Sequence, residues 1–432
     1  MFSLFKKIVV GLYLVLLFAS CSSLMSKKNR KHNNWPQDTV ATAVYTSAEL
    51  LKSETNFTLN STTGADNYNA YLSMLKDKKV GVVTNQTGIV TTIAYNKTDF
   101  GYKKTTTHLI DFLLEKNIQV QTIFAPEHGF RGTADAGELI IDGKDSKTGL
   151  PIISLYGDNK KPKPTQLAGI DIMIFDIQDV GARFYTYISS LHYVMEACAE
   201  NDIPLIILDR PNPNGAIVDG PILEKEFTSF VGMHPVPVLH GMTIGEYALM
   251  INGEKWLKDG ISCKLSIIPC VYYNRNMIYH LPVKPSPNLP NDQAVNLYAS
   301  LCLFEGTNVS VGRGTEKQFQ LYGSPYLPKN GFSFIPLPNS GAKNPVYNGV
   351  ECFGEDLTLH PKIHELELKW LLKAYHTTTD KTKFFNSFFT KLAGTKMLQQ
   401  QIEEGVSERK IRKSWKIGLD EFKEIRKKYL IY

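Results

Sequence analysis

The chain is 432 residues long, 43% hydrophobic, 21% charged and 11% aromatic, with a formal net charge of +6. That length calls for two domains or one large one, and the composition is that of a globular protein. The basic excess gathers in "KKNRKH" (27–32) and "SERKIRKSWK" (407–416), neither of which interleaves aromatic with basic residues, so both read as solvated faces and no nucleic-acid partner is expected.

At the N-terminus, "MFSLFKK" is a short basic region and "IVVGLYLVLLFA" an apolar stretch too short to span a bilayer. "SCSS" follows, so residues 1–21 read as a lipoprotein-type signal in which Cys21 becomes the lipidated first residue. The alternative is ordinary signal cleavage beside an incidental cysteine. This reading expects an exported protein of the bacterial envelope, held to a membrane by the lipid on Cys21. Five cysteines remain, Cys198, Cys263, Cys270, Cys302 and Cys352. Their scatter gives no metal-ligand spacing and no disulfide framework, so buried free thiols are expected. Residues 22–72 are polar, a tether and irregular lead-in.

From residue 73 to 240 short apolar runs rich in Val, Ile and Leu alternate with helical patterns. "KKVGVVTNQTG" (78–88), "IQVQTIFAPEHG" (118–129), "IDIMIFDIQD" (170–179) and "IPLIILDRPNPNG" (203–215) read as strands, and "HLIDFLLEKN" (108–117) and "YISSLHYVMEACAEN" (187–201) as helices. That alternation predicts a Rossmann-like α/β domain built on a mostly parallel sheet. From 241 to 432 the alternation weakens. "TIGEYALMING" (243–253) is helical, "CKLSIIPC" (263–270) a strand, 281–291 a proline-rich loop, 303–325 glycine-rich and irregular, and the tail charged and helical. This half is expected to form a smaller α+β domain.

The four predicted strands of the first domain end in polar residues: Asn85 and Gln86; Glu127 and His128; Asp176, Gln178 and Asp179; Asp209 and Arg210. Open parallel sheets bind ligands outside the carboxyl ends of their strands, so this convergence predicts a site there. Glu127 and His128 are its candidate acid and base, with Arg131 four residues past the acid. Arg183, at a helix start, suits an anionic group. No GxGxxG follows the first strand. The stretch Gly306–Arg313 has glycines near P-loop spacing, one residue too far apart, and arginine where lysine is needed, so no nucleotide cofactor is expected. HExxH, CxxC and GxSxG are absent too. A carboxylate-rich metal site of His128, Asp135 and Glu138 is a competing reading on irregular spacing, and no metal is assigned.

Six stretches in order, "GVVTNQTG", "FAPEHGFRG", "FDIQDVGARFYTY", "LDRPNPNG", "GMTIGEYA" and "FEGTNVSVGRGT", resemble the exo-β-N-acetylmuramidases of the NamZ type, from about residue 78 to near the C-terminus. The resemblance implies a glycoside hydrolase that removes terminal N-acetylmuramic acid from the non-reducing end of peptidoglycan fragments. It implies a cleft between the two domains and Glu127 as the catalytic glutamate. Glycoside cleavage needs a general acid at the leaving oxygen. The second role is open among Asp176, Asp179, Asp209 and the substrate's own 2-acetamido oxygen. A cation should grip the lactyl carboxylate, and Arg131, Arg183, Arg210 and Arg313 are the candidates. A muropeptide-binding lipoprotein without catalysis is the remaining rival.

Overall fold

A computed structural model describes residues 43–44, 61–96, 101–130, 142–329 and 331–432. In chain order it contains strand β1 (Ala43–Val44), helix α1 (Tyr68–Leu75), β2 (Lys79–Thr84), β3 (Ile89–Asn96), β4 (Gly101–His108), α2 (Leu109–Glu115), β5 (Gln119–Ala125), β6 (Gly143–Lys144), β7 (Pro151–Ser154) and α3 (Pro164–Leu167). Then come β8 (Ile172–Asp176), α4 (Tyr187–Glu200), β9 (Leu205–Leu208), α5 (Ile244–Gly253), β10 (Leu265–Ile268), α6 (Asp292–Leu301), β11 (Leu321–Ser324), β12 (Phe332–Phe334) and β13 (Cys352–Asp356). Four helices close the chain: α7 (Lys369–Thr377), α8 (Phe389–Ala393), α9 (Met397–Glu403) and α10 (Glu408–Arg426).

The main sheet runs β1-β10-β9-β8-β2-β5-β7-β6 and is parallel throughout except at the β6–β7 edge. Its central strands are apolar on both sides because both faces are covered. Val83, Phe124, Phe175 and Ile207 enter one core with α4, α5 and the C-terminal helices. Val82, Ile123, Ile174 and Ile206 enter a second core with α1 and α2. The first core continues without a break through α6, Phe319, Trp370, Phe389 and Trp415, so it is shared with the smaller C-terminal part. That part carries an antiparallel sheet, β11-β13-β12.

The expected α/β class and each of the expected strands and helices are present. Three features differ from the sequence reading. β10, expected in the second half, is an inner strand of the main sheet, parallel to β9. The antiparallel β3–β4 hairpin leaves the sheet just after β2 and was not anticipated. Part of the expected lead-in is ordered: a Thr63 capping box and α1 pack against the sheet. The five cysteines after Cys21 are free and buried. The signal, Cys21 and Arg131 lie outside the described residues.

Candidate functional site

Pro126 ends β5, since it has no N–H to extend the ladder. The chain turns at once: Gly129 N–H donates to Pro126 O at 3.0 Å, with His128 at φ 70° and Gly129 at φ 75°. This turn lifts half-buried Glu127 off the sheet edge. Thr186 Oγ1, one residue before α4, donates to Glu127 Oε2 at 2.7 Å. Tyr187 opens α4 beside them. Its hydroxyl accepts from Asn85 Nδ2 at 2.8 Å and donates to Pro285 O at 3.3 Å. Burial, and then the Glu127 charge, push this phenol upward, so it stays neutral and able to donate.

Glu127 and His128 line a cleft of about 210 Å³. One wall adds Tyr156, Phe184, Tyr185, Thr186, Tyr187, Phe230 and Val231; the other is Ser286, Asn288 and Leu289 of the proline-rich loop with Tyr298, Cys302, Glu305, Arg313 and Phe319. Edge-on ring contacts run in a row through Tyr187, Tyr185, Tyr298 and Phe319, with centroids 4.8, 5.7 and 4.9 Å apart. The Arg313 guanidinium lies 5.0 Å from the Phe319 centroid, and its Nε donates to Glu305 Oε1 at 2.7 Å. The aromatic row therefore connects a carboxylic acid to an arginine.

Several expected substrate contacts prove to be internal. Arg183 is fully buried. Its Nη1 donates to Pro221 O and Val236 O at 2.8 Å, and its Nη2 to Leu392 O at 2.9 Å and Ala393 O at 2.8 Å. Both nitrogens are thereby occupied, and burial lowers the group to about 10. Arg210 forks onto Asp176 through Nε at 2.6 Å and Nη2 at 2.9 Å, and neither residue lines the cleft. Asp209 accepts from Thr243 Oγ1 at 2.7 Å, Gly245 N at 2.8 Å and Tyr432 OH at 2.7 Å, so it anchors the start of α5. Burial still raises Asp209 to about 6. Asn85 is buried and orients Tyr187, while Gln86 Nε2 donates to Lys284 O at 3.2 Å and Pro285 O at 3.1 Å, pinning the proline-rich loop.

Asp179 is intermediate between these cases. It is buried and does not line the cleft; it takes the Gly181 N–H on Oδ2 at 2.7 Å, while Oδ1 has no hydrogen-bond partner. Burial lifts its carboxyl to about 7. His240 Nε2 stands 3.9 Å away, and burial, with the Arg426 and Arg183 charges, holds that ring down near 3.

The sequence reading did not single out Thr186 and Glu305. The signal for Glu305 lay within "FEGTNVSVGRGT", where an acid precedes Arg313 across a glycine-rich loop. Among the described residues no group of three or more His, Cys, Asp or Glu side chains is placed to hold a metal. Asp135 and Glu138 lie outside those residues.

Two family models match consecutive parts of the chain: the N-terminal domain of exo-β-N-acetylmuramidase NamZ over residues 80–293, and its C-terminal domain over 296–432. A peptidoglycan β-N-acetylmuramidase NamZ of Bacillus subtilis (strain 168) is 39% identical over 384 residues, covering 84% of this chain and 89% of the relative. Two solved DUF1343 family proteins of Bacteroides fragilis share the fold. One has a TM-score of 0.76 at 44% identity, covering 87% of this chain and 99% of its own. The other has a TM-score of 0.69 at 26% identity, covering 86% and 99%.

Proposed function

The chain belongs to the NamZ family of exo-β-N-acetylmuramidases and is a glycoside hydrolase, and from that premise we propose that it releases terminal N-acetylmuramic acid from the non-reducing end of peptidoglycan fragments with Glu127 as the proton donor. The observation that carries this reading is the Glu127 carboxyl, delivered to the cleft by the turn after β5 and fixed by the Thr186 hydroxyl. Leaving-group departure builds negative charge on the glycosidic oxygen, and a positioned carboxylic acid neutralises it. His128, the next residue of the same turn, lines the cleft beside it.

The oxocarbenium-like carbon also needs a partner. Asp176 and Asp209 are committed to Arg210 and to the start of α5. Asp179 is buried and does not line the cleft, and Glu305 is paired with Arg313. Among the described residues this leaves the substrate's own 2-acetamido oxygen as the internal nucleophile. The buried aromatic row packs the cleft wall from behind and holds Tyr187 in place beside the acid.

Glu127→Gln preserves volume and the bond from Thr186 but removes the transferable proton. Turnover of a natural muramic acid–glucosamine disaccharide should fall roughly 10²–10⁴-fold with the melting temperature unchanged. Activity within a few-fold of wild type would remove Glu127 from the mechanism. Wild-type protein that binds the disaccharide yet releases no muramic acid would refute the hydrolase reading itself.

A further inference from the structure

We propose that Arg313, positioned by Glu305 and Phe319, recognises the lactyl carboxylate of the substrate's muramic acid. This inference rests on the muramidase reading above and names the group that makes the site selective for that sugar.

N-Acetylmuramic acid differs from N-acetylglucosamine by one lactyl ether, whose carboxylate is the feature a protein can read most sharply, with a cation. Arg313 is the one lysine or arginine among the described residues that lines the cleft. Arg183 and Arg210, the other described candidates, are committed to main-chain carbonyls and to Asp176.

Arg313 is also built as a receptor. Gly312 and Gly314 flank it at φ 78° and φ 82°, a left-handed backbone that side chains other than glycine resist. Thr315 N donates to Gly312 O at 3.0 Å and Phe319 N to Val311 O at 2.8 Å, so the loop is closed on both sides of the arginine. Phe319 supports the guanidinium plane, and Glu305 takes the Nε hydrogen. Among the described residues no protein group accepts from Nη1 or Nη2. A guanidinium held at Nε and supported on one face presents its remaining donors as a fixed fork, the geometry that a carboxylate accepts with two oxygens. Glu305 thus acts as a positioning residue. Glu127 and Arg313 line the same cleft of about 210 Å³. A muramic acid bound in that cleft is within the same enclosure as both the acid and the arginine.

The test compares a chromogenic N-acetyl-β-muraminide with the same compound whose lactyl carboxylate is capped as a methylamide. Wild-type protein should prefer the free acid roughly ten- to a hundred-fold in kcat/KM. Arg313→Met should abolish that preference, mainly by lowering kcat/KM for the acid. Arg313→Lys keeps the charge but not the fork and should retain part of the preference, which keeps the test decisive if the methionine variant fails to fold. Glu305→Gln, whose amide oxygen can still accept from Nε, should preserve more of the preference than Glu305→Ala. A wild-type enzyme indifferent to capping, or an Arg313→Met enzyme that keeps the full preference, overturns the assignment. Failure of the wild type to release muramic acid from either compound or from the natural disaccharide would instead overturn the muramidase reading, and this inference with it.

Discussion

Asp179 shows how far burial alone can move a carboxyl group in this protein. With Oδ2 on the Gly181 amide and Oδ1 without a partner, its charged form has lost water and gained little, and the group titrates near 7 instead of 3.8. The native state therefore holds this proton more tightly than the unfolded chain does. The resulting stabilisation is complete below about pH 4 and is lost as pH rises towards 7. Asp179→Asn can keep its amide oxygen on Gly181 and place its NH₂ where Oδ1 stands, with no proton to lose. Denaturant titrations of both proteins should show the difference shifting in favour of the variant between pH 4 and 7, by at most about 4 kcal/mol. Asp209 titrates in both proteins and cancels in the comparison, and repeating it in a His240→Gln background removes the neighbouring imidazole, 3.9 Å from Asp179. A difference that is flat with pH would show that Asp179 is ionised in the native state throughout.

Arg183 works at the scale of elements. It sits between β8 and α4, and its four acceptors lie in the loops at Pro221 and Val236 and at the end of α8. The next residue after α8, Gly394, has no room for a side chain: a Cβ there would stand 2.6 Å from Arg183 Nη2. Arg183→Met would strand buried carbonyls from separate elements, at a cost on the order of 3–5 kcal/mol. Its signature is a large drop in melting temperature, with any remaining activity reduced equally on acid and capped substrates. A stable variant that loses only the acid preference would return Arg183 to substrate recognition. The sequence could not separate the two roles, because an arginine after a strand looks the same whether it faces a ligand or a carbonyl. What it did show was periodicity. β2, β8, β9 and the second half of β5 are apolar runs followed by polar residues, and α4 and α5 repeat their apolar positions at helical spacing. The β3–β4 hairpin was hidden because "IVTTIAYN" and "GYKKTTTH" are polar enough to read as loop. β10 was assigned to the wrong half because a four-residue strand carries no mark of which neighbour it joins.

At the scale of the whole molecule, half of the site was readable. Glu127 stood out because a proline, an acid and a glycine follow an apolar run. The opposite wall comes from 286–319, far along the chain from Glu127, so no local pattern announced Glu305 as a partner for Arg313. The N-terminal 21 residues bear on where the whole assembly works. We propose that lipid on Cys21 anchors an exported protein, on the strength of the basic and apolar stretches before it. Cys21→Ser should then move the protein from the detergent-extracted membrane fraction to the soluble one, with specific activity unchanged, because acyl chains supply the anchoring energy. A protein already soluble before the change would show the cysteine to be incidental.

The brace at Arg183 and the single core that runs from the sheet into the C-terminal helices also have a mechanical meaning. Among the described residues these ties join both walls to one packed body, and a fixed opening of about 210 Å³ suits the tip of a polymer better than its middle. Such an enzyme works as a socket rather than a clamp: a strand enters tip first or not at all, and the shape of the opening does the sorting before any chemistry begins.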